Sequence, residues 1–148
     1  MEETELISKI ETAVHEVVVE QIDHLRIGRV EGTFTTYFVD KIRSKIPLEN
    51  IVVDPFYNKH GDAAKRLNGH AIEVDIAIHE RYVDKNNLVV IELETNNRPE
   101  RDDLWKIEGL TQELSGYGYK LGLFLVVGIR EKAGEIIAME WYKNGKPL

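Results

Sequence analysis

A chain of 148 residues, 43% apolar and 30% charged, has the size and composition of one globular domain with a core of its own. It contains no cysteine, which rules out disulfides, thiolate nucleophiles and cysteine-based zinc or iron–sulfur sites. The formal net charge of −7 argues against a nucleic-acid partner only until its distribution is read: residues 1–25 carry seven acids against one lysine, so the rest of the chain sums to −1.

Residues 2–25 read as a helix, with Leu6, Ile10, Val14, Val17, Val18, Ile22 and Leu25 on one face and charge on the other. The acidic start, Met1 to Glu5, has no apolar stretch of the secretory kind. No apolar run approaches the length of a membrane span, so a cytoplasmic protein with no membrane partner is expected. Residues 33–46 carry β-branched Thr33, Thr35, Thr36 and Val39, but Phe34, Phe38, Ile42 and Ile46 keep helical spacing. Cations near the end and Pro47 after it favour a helix.

Residues 51–57 read as a strand, which Pro55 confines to an edge or a bulge. Residues 58–70 form a polar connection with three cations against one acid. Strands are expected over 71–79 and 88–95, joined by the turn Asp84-Lys85-Asn86-Asn87. Pro99 should open a helix with the apolar stripe Leu104, Ile107, Leu110 and Leu114. Residues 120–129 are nearly all apolar, as in a strand buried on both faces. Residues 135–142 fit either a last strand or a short helix. The sum is an α/β domain: a mixed four-stranded sheet flanked by helices, whose final β-α-β unit is a right-handed crossover if its strands are parallel.

Side chains alternate along a strand. In the second strand Ile72, Val74, Ile76 and Ile78 should share one face, and Glu73, Asp75, Ala77 and His79 the other. In the third, Val89, Ile91 and Leu93 oppose Val90, Glu92 and Glu94. Pairing the apolar faces on one side gathers Glu73, Asp75, Glu92 and Glu94 into one patch. Carboxylates about 5 Å apart repel. A hard cation such as Mg²⁺ or Mn²⁺ offsets that repulsion, since both favour carboxylate oxygens.

Val-Asp75, a gap, and then Val-Val-Ile-Glu92-Leu-Glu94-Thr resembles the core motif of the PD-(D/E)XK nuclease superfamily. The resemblance covers about residues 31–129 and implies the restriction-endonuclease-like αβββαβ core, here with an extra N-terminal helix. By position it implies Asp75 and Glu92 as metal ligands with the backbone carbonyl of Leu93, and Glu31 as the additional acid near the first core helix. The implied activity is a Mg²⁺-dependent nuclease-type phosphodiesterase acting on DNA, with Mn²⁺ as an alternative ion. Two positions depart from the pattern. Val74 replaces the proline, and Glu94 stands where the lysine belongs. Glu at that position can serve as a second-metal ligand or general base; alternatively, the following helix supplies the lysine as Lys106. The missing lysine also keeps open a catalytically inactive module of the same fold, used for binding or regulation.

Gln112 and Tyr117 are similar to the Gln-then-Tyr signature of the RecB-like branch, one residue further apart. Lys59, Lys65, Arg66 and Gln112 are the candidate substrate-binding residues, the cations of the long connection for phosphate contact. A homodimer is compatible with this reading. No two of the five histidines share a metal-ligand spacing.

Overall fold

The structure is a computed structural model and describes the whole chain except the side chain of Leu114, the last residue of the expected apolar stripe. Its N-terminal third is helical: α1 (Glu3–Glu20), α2 (Ile22–Ile27) and α3 (Glu31–Lys45). The single helix expected over 2–25 is interrupted at Gln21, where the backbone leaves helical geometry after closing a last bond to Val17. The apolar stripe of α1 is buried as its spacing requires, through Leu6, Ile10, Ala13, Val14, Val17 and Val18. In α3 the periodicity of Phe34, Phe38 and Ile42 prevails over the strand preference of its threonines, because a continuous buried stripe outweighs local propensity. The acidic outer face of α1 meets cations of α3: Glu16 lies 3.0 Å from Lys45, and Glu20 lies 2.7 Å from Lys41.

Four strands were expected; the sheet has six. Strand β1 (Val52–Tyr57) is followed by four two-residue strands outside the main sheet: β2 (Lys59–His60), β3 (Ala63–Ala64), β4 (Arg66–Leu67) and β5 (His70–Ala71). Then come β6 (Val74–His79), β7 (Asn87–Thr95), helix α4 (Leu104–Leu110), β8 (Leu121–Val127), β9 (Ile136–Lys143) and β10 (Lys146–Pro147). The sheet runs β1-β6-β7-β8-β9-β10. Only β7 and β8 pair in parallel, across the α4 connection; the other neighbours are antiparallel. β1 is an edge strand, as Pro55 demands. The undecided segment near 135–142 is β9, paired along most of β8.

Three layers result. Alternation along β7 and β8 sends Val89, Ile91, Leu93, Leu121, Leu123, Leu125 and Val127 against α1–α3. Val90, Phe124 and Val126 face the opposite way, toward α4 and its flanks. Helix α4 is shorter than expected and starts five residues after Pro99. The Leu104 N–H instead closes a turn on the Arg101 carbonyl.

The connection over 58–70 is not a plain loop. β2 pairs with β3, and β4 with β5. The Lys65 N–H donates to the Asn58 carbonyl at 2.6 Å, and the Ile72 N–H donates to the Lys65 carbonyl at 2.9 Å. Lys65 therefore joins both ladders into one small three-stranded flap, with residues 63–67 as its middle strand. The flap sits on α4 through Leu67, at a point where a Cβ on Gly109 would come within 2.6 Å of the leucine Cδ2.

Candidate functional site

The site forms where β6 and β7 meet under α4. The ladder pairs Ile76 with Ile91, Ala77 with Val90 and Ile78 with Val89. Carried one step further, that register sets Asp75 opposite Glu92 on the α4 side of the sheet. At this step the two backbones do not pair. Instead the Leu93 N–H donates to Asp75 Oδ2 at 2.7 Å, which fixes the aspartate against the neighbouring strand. Glu92 is only 3% exposed. Its Oε1 is fully buried and, among the described residues, has no hydrogen-bond partner. Burial, and then the negative charge of Asp75, push the Glu92 carboxyl well above the usual carboxylate range.

Lys106 comes to the same point from α4. Its Nζ is 3.9 Å from Glu92 Oε1, an ion-pair distance too long for a hydrogen bond. The ammonium also donates to the Glu73 carbonyl at 3.2 Å and lies 3.2 Å from Asp103. Burial alone would lower its pKa, but the carboxylates of Glu92, Asp103 and Asp75 outweigh that and hold it above the ordinary lysine value. A cation from the helix thus faces the buried Glu92 carboxyl.

The four acids do not form one patch. The second strand begins at Val74, three residues later than expected. Ile72 and Val74 pack with Ala77 rather than with Ile76 and Ile78. Glu73 lies ahead of the strand with an exposed side chain; its carbonyl, not its carboxylate, is what Lys106 holds. Glu94 is turned to the Glu100 N–H, which both its oxygens accept at 2.7 and 3.1 Å. Burial, opposed by that N–H but reinforced by the carboxylates of Glu100, Glu31 and Asp103, raises the Glu94 pKa. Glu31, the first residue of α3, accepts the Thr95 N–H at 3.1 Å and so reaches the end of β7. Among the described residues no group of three or more His, Cys, Asp or Glu side chains is close enough to share an ion.

The expected substrate contacts divide. Lys59 and Arg66 are exposed, on the flap. Arg66 and Gln112 line a groove of about 520 Å³ together with Asn68 and the half-exposed Trp105, which neighbours Lys106 on α4. Lys65 is a correction: it is 2% exposed and cannot meet a phosphate as the sequence suggested. Its ammonium lies over the rings of Tyr117, Tyr119 and Tyr57, at 4.3, 5.3 and 5.5 Å from their centroids.

Sequence reasoning also missed a second polar cluster at the far end of β6. Asp54 on β1 bonds to His79 Nε2 at 2.9 Å and to Arg81 Nε at 2.9 Å. Burial acts to raise the Asp54 pKa, yet Arg81 and His79 bring it below the usual value. His79, also buried, is lowered by that burial despite its aspartate. Nothing in the spacing of 54, 79 and 81 signals the cluster; it needs the β1–β6 register.

Comparison with known proteins adds no relative: no family model, no curated protein and no solved structure matches this chain. Among the described residues no helix is long and apolar enough to cross a membrane.

Proposed function

We propose that the chain is a Mg²⁺-dependent phosphodiesterase of the PD-(D/E)XK nuclease type, acting on DNA and built on the restriction-endonuclease-like core. The observation that carries this reading is the orphaned Glu92 Oε1, buried beside Asp75 and facing Lys106. A buried carboxylate oxygen without a partner is destabilising by about 1–3 kcal/mol. A site that keeps one is suited to something it receives from outside, and two oxygen donors from adjacent strands suit a hard cation. Asp75, Glu92 and the Leu93 carbonyl would hold the ion, which on binding would polarise a phosphoryl oxygen and acidify a water. Lys106 would stabilise charge developing on the phosphate, the role its ammonium can take beside Glu92. The Leu93 N–H keeps Asp75 oriented throughout. Lys59 and Arg66 on the flap would contact the DNA backbone.

The test is cleavage of single-stranded and duplex DNA in Mg²⁺ and Mn²⁺, with metal binding measured by calorimetry. Asp75→Ala and Glu92→Ala should each reduce cleavage at least about 100-fold and abolish ion uptake. Undiminished cleavage by the double variant would sink the assignment. A second reading, an inactive module of the same fold, draws support from Glu94, whose carboxylate is committed to the Glu100 N–H. DNA binding without ion uptake or cleavage is the outcome it requires.

A further inference from the structure

Lys65 is a buried lysine in a box of tyrosines. Its Nζ sits 4.3 Å from the Tyr117 ring centroid, with Tyr119 and Tyr57 completing the enclosure. The Tyr119 hydroxyl lies 3.5 Å away. Such rings attract an ammonium through their π faces, each interaction contributing about 0.5–2 kcal/mol, which offsets part of the cost of burying the charge, so the aliphatic stem and its burial are what seat the side chain. The backbone of the same residue joins the two ladders of the flap, and its neighbour Arg66 both donates to and accepts from the Tyr117 hydroxyl, at 2.8 and 2.6 Å.

From there the chain runs directly into the candidate site. Ile72 is held by the Lys65 carbonyl, Glu73 by Lys106, and Asp75 by the Leu93 N–H. Three of the four residues from Ile72 to Asp75 are thus held by a hydrogen bond, the first of them to Lys65 itself. We propose that Lys65, seated among Tyr57, Tyr117 and Tyr119, is a positioning residue: it latches the flap down and thereby sets the segment 72–75 that presents Asp75. The latch stands whether or not the site takes up an ion.

The box also gives the latch a pH dependence. Burial lowers the Lys65 pKa from 10.5 to about 8, with Asp84 of the β6–β7 turn opposing the shift. The other groups around the ammonium are His79 from β6, Tyr57 from β1, Tyr82 from the turn, Lys59 and His60 from the flap, and the two tyrosines before β8. Burial moves Tyr57, Tyr117 and Tyr119 above 10 and His79 below 6.5, away from the lysine's range. A lysine whose pKa falls on docking binds its proton more tightly undocked. Docking is therefore weakest below about pH 8 and strengthens as the pH rises from there toward 10.5.

Native-state hydrogen exchange on the full chain tests this, with each amide corrected for its intrinsic rate. The Ile72 amide should keep constant protection up to about pH 8, then gain close to tenfold per pH unit. Lys65→Met, which matches the neutral side chain in length, should hold high protection at pH 7 and show no rise. The Leu93 amide, bonded to Asp75, should follow Ile72, while the Leu125 amide in mid-β8 reports global opening. A flat wild-type profile at Ile72, or a rise that persists in Lys65→Met, overturns the latch. Leu93 exchanging with Leu125 rather than with Ile72 overturns its reach to Asp75. If Lys65→Met does not fold, the wild-type profiles decide alone. None of these readouts needs metal or DNA, so failure here is separable from failure of the nuclease reading.

Discussion

Glu92 concentrates the conflict between stability and chemistry in one side chain. Its folded pKa is raised, so the stability associated with it is fully present below the ordinary carboxyl value of 4.5 and is lost as the pH climbs toward the folded value. Glu92→Gln removes the charge while keeping the shape, and its amide can donate to Asp75. The variant should equal wild type in urea unfolding at pH 4 and exceed it by about 1–3 kcal/mol at pH 8. A wild type that is the more stable at pH 8 would mean that Lys106 already satisfies the carboxylate. At this scale the sequence was partly legible. Alternation, with the apolar faces paired on one side, put Asp75 and Glu92 on one face, although Val74 at the start of β6 departs from it by packing with Ala77. Glu73 failed the same reasoning, since the strand begins after it. Lys65 was unreadable: a lysine in a polar stretch looks solvated, and the tyrosines that enclose it lie up to 54 residues away.

Helix α4 is seven residues long, too short to stand without tertiary support. Two glycines let it approach, and they differ in kind. On Gly122 of β8 an added Cβ would meet Ile107 Cγ2 at 2.5 Å and Thr111 Cγ2 at 3.1 Å. Ile107 is β-branched and stiff about χ1 on the helix, and Thr111 caps that helix, so the helix itself must move. On Gly109 the added Cβ would meet Leu67 of the flap at Cδ2, Cδ1 and Cγ, at 2.6, 3.1 and 3.2 Å, so a single buried side chain rather than the helix must shift. Gly122→Ala should therefore destabilise by about 1–3 kcal/mol and draw Lys106 away from Glu92. Gly109→Ala should destabilise less than Gly122→Ala, because a gain of up to about 1 kcal/mol in helix propensity offsets part of the cost of moving the leucine. Thermal unfolding of the pair checks the contrast; equal effects would refute it. The helix's apolar spacing was visible in the sequence, but not its start. Pro99 and the acids after it match a helix opening, yet Glu94 captures the Glu100 N–H and the chain turns once more before Leu104.

Across the whole molecule, the N-terminal helix is part of the core rather than an addition to it. Much of the order was readable from periodicity, although the first helix divides at Gln21 and β9 and β10 follow β8, and Pro55 had narrowed β1 to an edge or a bulge. How the chain's two ends meet was not readable, because pairs so distant in sequence leave no local signal. Trp141 Nε1 on β9 donates to Glu11 on α1 at 3.0 Å, and Lys143 donates to Glu3 at 2.8 Å. Leu6, Ile10, Val14, Val17 and Val18 pack in the same cluster as α3 and the inner faces of β7 and β8. Burying five such side chains contributes about 8–15 kcal/mol at 1.5–3 kcal/mol each. A domain of this size is stable by only about 5–15 kcal/mol in total. Losing α1 removes a contribution as large as the whole margin, and it bares Phe34, Phe38 and Ile42 to water. A chain starting at residue 21 should show no cooperative thermal transition by circular dichroism and should aggregate. A cooperative transition in the shortened chain would instead make the region from α3 onward a domain in its own right. The acid pair could then be studied without the helix that carries most of the chain's net charge.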